Sequence, residues 1–159
     1  MTIRIPPLLT RPVHILTHDT TLLVQRMGGI LPKQGTEESA GFDLYSAESV
    51  QIPARDRKIV GTGIAIRAPH GTYAQIAPRS GLAVKGIDVG AGVVDQDYTG
   101  EVRIVLINST SQSFQVRAGN RIAQVILERI ASCNIEEVSS LSSLMETQRG
   151  SGGFGSTGK

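Results

Sequence analysis

The sequence predicts an all-β fold, a compact β-sandwich, on three observations. Short runs of β-branched and aliphatic residues follow one another with glycine and proline between them. Several runs are apolar at nearly every position, Ile104-Val105-Leu106-Ile107 above all, a pattern of strands covered on both faces. No segment carries a long helical period, and no internal repeat is present. A sandwich, a jelly roll or a subunit interface would each supply the second cover.

Strands are expected over Thr21 to Arg26, Lys58 to Arg67, Thr72 to Ala77, Val102 to Asn108 and Arg121 to Ile130. Helix is expected only weakly, in the few residues after Gly81 and over Ser140 to Glu146. The last ten residues, from Gly150 to Lys159, are nearly all Gly, Ser and Thr around Phe154 and cannot build a core. Gly153 to Lys159 matches the opening of a P-loop, but no Ser/Thr and no helix follow the lysine. The tail is either a flexible end or a segment that folds over a phosphate-bearing ligand with Arg149 and Phe154.

A chain of 159 residues suits one domain, with roughly two-thirds of its unfolded surface buried on folding. The net charge of +2 comes from 16 basic and 14 acidic residues without dense Lys/Arg runs, so no nucleic-acid partner is expected. Cys133 is the single cysteine, which excludes an intrachain disulfide and a cysteine-rich metal site. No apolar run approaches the roughly 20 residues of a membrane-spanning helix, and no secretory pattern opens the chain, so no membrane partner is expected. The expected location is intracellular, in cytoplasm, nucleus or an organelle. Arg4 and Arg11 without acids faintly suggest a transit peptide, but Pro6, Pro7 and Pro12 oppose its amphipathic helix, leaving an N-terminal extension or edge strand. The sequon Asn108-Ser109-Thr110 is discarded because glycosylation requires secretion. His14, His18 and His70 are taken as structural or solvated.

Three internal segments place charge or glycine between apolar strands. Pro78-Arg79-Ser80-Gly81 is either a plain turn or a group of amides, a hydroxyl and a guanidinium converging on an anion. Gly90-Ala91-Gly92-Val93-Val94-Asp95-Gln96-Asp97-Tyr98 reads as a hairpin whose glycines admit a ligand to the backbone, followed by two acids and an aromatic. If the segment is extended, Asp95 and Asp97 share a side, suiting a metal or a water-activating base, although they could equally cap a turn. Asp43 in Ala40-Gly41-Phe42-Asp43 is a third carboxylate. No metal-ligand spacing occurs, so any metal would be a hard cation carried with substrate phosphates. These residues describe a phosphate-ligand site and leave the base unspecified.

In order, the segments resemble the five motifs of the trimeric deoxyuridine triphosphatase (dUTPase) family. The matches are AGFDLYSA from Ala40, PRSGLAVK from Pro78, GVVDQDYTGEV from Gly92, AGNRIAQVIL from Ala118 and RGSGGFGSTG from Arg149. The resemblance runs from about Thr21 to the end. It implies a homotrimer of distorted jelly rolls with interfacial active sites, divided as an extension over 1–20, a β domain over 21–148 and an arm over 149–159. The activity it implies is magnesium-dependent hydrolysis of dUTP to dUMP and pyrophosphate. Asp95 is then the general base; Arg79, Ser80, Gly81 and Gln124 contact the phosphates; Asp43 supports Mg2+ through water. The hairpin backbone of Gly90, Ala91, Gly92, Val93 and Val94 pairs with uracil, whose donor and acceptor pattern cytosine reverses. Tyr98 packs on the sugar, where a ribose hydroxyl would clash. Phe154 stacks on the base, with Arg149 on the γ-phosphate and Gly155 in the closing arm. Two features depart from the family: Asn120 replaces an aspartate, and the loop between Lys85 and Gly90 is one residue short.

Two other readings are weighed. The related dCTP deaminases carry a second serine after the Arg-Ser pair and a glutamate for base chemistry, where this chain has Gly81 and Asp95. A binding module of the same fold without catalysis should have lost Asp95, Arg79 or the glycine-rich tail, all present here.

Overall fold

The alternation of side chains along strands decides what each apolar run can bury. In a computed structural model, which describes residues 20–141, 147 and 150–152, the run at 104–107 lies in one strand, Arg103–Asn108. Ile104, Leu106 and Asn108 on one face are fully buried, whereas Val105 and Ile107 on the other are half-buried. The expected two-sided cover is therefore incomplete in a single chain. Val105 lies opposite Ile59, which is 62% exposed.

Among the described residues, twelve strands and one short helix follow in the order β1 Leu23–Arg26, β2 Lys33–Gln34, β3 Phe42–Tyr45, β4 Val50–Ile52, β5 Arg57–Gly61, β6 Ile64–Arg67, β7 Thr72–Ala77, α1 Ser80–Ala83, β8 Ile87–Gly90, β9 Val93–Val94, β10 Arg103–Asn108, β11 Phe114–Val116 and β12 Arg121–Arg129. All strand pairs are antiparallel. The larger sheets run β2-β3-β12-β7-β9 and β5-β10-β8, with two-stranded sheets β1-β6 and β11-β4. The pairs β3 with β12, β4 with β11 and β5 with β10 are nested one inside the next, the wrapped-hairpin order of a jelly roll. Leu44, Ile76 and Val125 from the five-stranded sheet meet Val60, Ile87, Ile104 and Leu106 from the three-stranded one in a single core. Full burial of each such side chain contributes about 1.5–3 kcal/mol.

The expected strand from Lys58 to Arg67 is two strands in different sheets. The break is built from polar groups: the Thr62 hydroxyl donates to the Val102 carbonyl at 2.6 Å, and the Gly63 amide donates to Glu101 Oε1 at 2.9 Å. Asn108 fastens β10 to the neighbouring loops. Its Nδ2 donates to the carbonyls of Ile52, Pro53 and Gln112, and its Oδ1 accepts from the Thr110 amide and hydroxyl. A fully buried and fully engaged amide cannot carry a glycan, which is a structural reason to discard that sequon. Helix begins at Ser80. In the other stretch where helix was expected, Ser140 and Leu141 are not helical, and 142–146 lie outside the described residues, as do His14 and His18.

Candidate active site

The outward positions of the five-stranded sheet carry the polar side chains, because Leu44, Ala74, Ile76, Ala123 and Val125 take the inward ones. Strand register sets them in rows. Lys33 pairs with Asp43, Asp43 with Gln124 and Gln124 with Ala77; further along, Ile126 pairs with Gln75 and Gln75 with Val93; then Glu128 pairs with Tyr73. The Tyr73 hydroxyl donates to Glu128 Oε2 at 2.9 Å, and this bond raises the phenol's pKa above its ordinary value.

At the first row the chain leaves β7 through Pro78 and enters α1. Gln124 Nε2 donates to the Pro78 carbonyl at 2.9 Å. Arg79 precedes α1 in extended conformation; its Nε donates to Asp43 Oδ1 at 2.8 Å and its Nη1 to the Arg121 carbonyl at 3.3 Å. Arg121 Nη1 donates to the other oxygen, Asp43 Oδ2, at 3.1 Å. One carboxylate thus orients two guanidiniums, and Nη2 of Arg79 is unengaged among the described residues. Ser80 and Gly81 are exposed at the start of α1. A Cβ at Gly81 would meet nothing within 4 Å, and its φ is unexceptional. Among the described residues, therefore, neither space nor backbone conformation requires a glycine there.

Gly90 to Asp95 is not a hairpin. β8 pairs with β10 and β9 with β7, so the segment is a corner between two sheets. The apolar and glycine pattern specifies the bend but not which strands pair. The glycines also have reasons other than ligand approach. A Cβ on Gly90 would lie 3.1 Å from Ile107 Cδ1, and one on Gly92, where φ is +120°, would lie 2.5 Å from the Ile76 carbonyl oxygen. The Ile76 amide donates to the Gly92 carbonyl at 2.7 Å, holding the corner against β7, and Ala91 turns it with φ +58°. Past Val94 the strand ends. Gln96 and Asp97 form a turn closed by the Tyr98 amide on the Asp95 carbonyl at 3.2 Å, so the extended alternation that would put Asp95 and Asp97 on one side is absent.

Asp95 is exposed and lines a cleft of about 230 Å³ with Val93, Val94, Tyr98, Glu101 and Arg103. The Tyr98 hydroxyl donates to the Glu101 carbonyl at 3.1 Å, which fixes the ring at the cleft wall. Glu101 is held below the ordinary carboxylate pKa, first by the Gly63 amide and then by Arg103, whose Nε donates to Oε2 at 3.0 Å. Val94 pairs with Ala74, so Asp95 falls at the Tyr73 end of β7, and Arg79 follows six residues later, ~20 Å away at ~3.3 Å per residue. The chain therefore holds two separate polar clusters: an acid beside a glycine corner and a tyrosine, and a guanidinium cluster beside a helix start.

The sequence profile of dUTPases matches residues 28–158, which include all five segments. The chain belongs to the dUTPase family. Among its relatives, the deoxyuridine 5'-triphosphate nucleotidohydrolase of Candida albicans is 54% identical over 132 residues, 82% of each chain. The fold matches a dUTPase of Staphylococcus bacteriophage 80alpha, solved with dUpNHpp, at a TM-score of 0.81 and 23% identity over 88% of this chain and 99% of that one. It also matches the dUTPase from phage phi11 of S. aureus, described with a structural Mg(II) ion, at a TM-score of 0.71 and 20% identity over 77% and 99%.

Within this dUTPase-family chain, no three His, Cys, Asp or Glu side chains converge as a metal cage among the described residues. Asp43 keeps lone pairs for a water beyond its two guanidinium bonds. That donor set fits a hard cation that arrives with phosphate oxygens and keeps most of its waters. Arg149, Phe154 and Gly155 lie outside the described residues. Two further side chains of these clusters, Arg121 and Glu101, were not among the candidates the sequence offered. Arg121 sits inside the fourth motif, but its bond to Asp43 spans 78 residues and exists only through pairing of β3 with β12. Glu101 follows the third motif's aspartates, and its role depends on the break at Gly63.

Proposed function

We propose that this chain hydrolyses dUTP to dUMP and pyrophosphate by attack of water on the α-phosphate, at sites shared between the subunits of a homotrimer. The separation of the two clusters carries the second part. A general base and the groups that hold the phosphate must lie within hydrogen-bond reach of one phosphoryl group, about 3 Å each. Asp95 lies beside the start of β7 and the Arg79 cluster past its end, ~20 Å away at ~3.3 Å per residue, which supports a base of one chain working on phosphates held by another. The exposed Ile59 and half-buried Val105 and Ile107 support an apolar contact between chains.

In this reading Asp95 takes the proton of the attacking water. Arg79, Ser80, Gly81 and Gln124 hold the phosphates, with Asp43 aiming Arg79. The backbone of Gly90, Ala91, Gly92, Val93 and Val94 pairs with the uracil edge. A wrong base leaves amides unpaired at about 1–3 kcal/mol each, enough to reject cytosine when two contacts fail. Tyr98 flanks the sugar, while Arg149, Phe154 and Gly155 of the arm close over the substrate. Magnesium, when bound with the triphosphate and supported through water by Asp43, offsets phosphate charge. The products suit an intracellular enzyme that limits uracil incorporation into DNA and supplies dUMP for thymidylate synthesis.

The test is pyrophosphate release by the purified chain with magnesium, comparing dUTP with dTTP, dCTP and UTP. Strong preference for dUTP is expected. Release from none of them would favour a binding module, and ammonia from dCTP would favour a deaminase.

A further inference from the structure

A second polar cavity, of about 430 Å³, shares Asp43 with the cluster above but has none of Arg79, Ser80, Gly81 or Gln124 in its lining. Its wall includes Lys33, Asp43, Gly119, Asn120 and Arg121. The cavity is continuous with the phosphate cluster through one carboxylate, since Asp43 Oδ1 holds Arg79 and Asp43 Oδ2 holds Arg121. Its formal charge is cationic: Lys33 and Arg121 against Asp43, whose own charge Arg79 shares. Glu37 and Glu38, in the loop after β2, do not line it. Lys33 is exposed and makes no ion pair with Asp43, although the two face each other across β2 and β3.

Asn120 adds to this bias without adding charge. Asn120 Oδ1 accepts the Arg117 amide at 2.9 Å, a bond an aspartate would also make. With asparagine the group left to a ligand is the Nδ2 donor, and a negative charge that aspartate would put in the wall is missing. Donors and positive charge without a cage of carboxylates select an anion with several phosphoryl oxygens.

We propose that Lys33, Asn120 and Arg121 form a landing site for the pyrophosphate leaving group. This rests on the hydrolysis reading above. Once the bond between the α-phosphorus and its bridging oxygen breaks, the departing β- and γ-phosphoryl groups pass from the Arg79 side of Asp43 to the Arg121 side. Lys33 and Asn120 are binding residues for that product.

The experiment uses the full chain with magnesium pyrophosphate, both as an inhibitor of dUTP turnover and as the titrant in calorimetry. Lys33→Gln and Asn120→Asp should each weaken pyrophosphate binding about tenfold, the loss of one charge-assisted contact. Lys33→Arg should restore it, and inhibition by dUMP should not change. Equal pyrophosphate affinity in wild type and both variants would overturn the proposal. Absence of dUTP turnover in the wild type would instead overturn the hydrolysis reading and with it the leaving-group role, while the calorimetric titration would still decide whether Lys33 and Asn120 bind pyrophosphate.

Discussion

Single side chains carry two different kinds of consequence in this molecule. The Asp95 side chain is exposed on the cleft wall and makes no hydrogen bond or ion pair among the described residues, so changing its carboxylate tests chemistry more than stability. Asp95→Asn is expected to keep the fold and dUTP binding and to lose on the order of 100-fold or more in turnover; near-normal single-turnover rates would refute its role as base. Glu101 is the converse, a carboxylate whose work is structural. Its folded-state pKa is lowered by the Gly63 amide and Arg103. Its contribution is therefore complete at neutral pH and fades as pH falls below the ordinary carboxylate value of about 4.3. Thermal unfolding of wild type and Glu101→Gln should differ most near neutrality and converge in acid; a constant gap would mean that the charge plays no part. At this scale the sequence showed the acids and the arginines but not their partners. Asp95 lines a cleft and Gln124 bonds to the residue before Arg79, contacts no motif spells out, and the Asp43–Arg121 bond joins residues that only a sheet brings together.

Elements built from local pattern were the most legible. Thr72 to Ala77 is β7 residue for residue, and Arg121 to Ile130 is β12 but for its last residue. Elements defined by which strand pairs with which were not. Lys58 to Arg67 reads as one apolar run and folds as two strands because Thr62, Gly63 and Glu101 supply a polar break between them. The glycine corner reads as a hairpin and folds as a crossing between sheets, since an alternating pattern is silent about its partner. That difference makes Gly92 a conformational requirement. Gly92→Ala must accept both φ +120° and a clash with the Ile76 carbonyl, a strain of about 1–3 kcal/mol that the corner can relieve only by lifting off β7. The expected result is a modest loss of melting temperature but at least a tenfold loss of discrimination between dUTP and dCTP. Preserved discrimination with lowered stability would show that the corner backbone does not read the base.

At the scale of the whole molecule the argument turns on what one copy lacks. The three-stranded sheet leaves Ile59, Val105 and Ile107 incompletely covered, a Cβ at Gly81 would meet nothing within 4 Å, and the base stands ~20 Å from the phosphate cluster, at the other end of β7. A second copy resolves all three at once if its phosphate cluster faces the first copy's Asp95. Such a contact joins unlike patches, so it is heterologous and closes into a ring only by rotation, as a cyclic trimer does. Complementation between two inactive variants tests this directly. Asp95→Asn lacks only the base and Arg79→Ala lacks only the phosphate fork, so neither homo-oligomer should turn over dUTP appreciably. When the two are unfolded together and refolded at equal amounts, a shared site is intact if its base comes from the Arg79→Ala chain and its fork from the Asp95→Asn chain. Random assembly makes about one site in four intact, so roughly a quarter of wild-type activity should return in a ring of heterologous contacts. Sites contained within one chain would return none, because every chain carries one lesion. The same mixture, left native and unmixed in its subunits, should stay inactive, which separates restored sites from contaminating wild type.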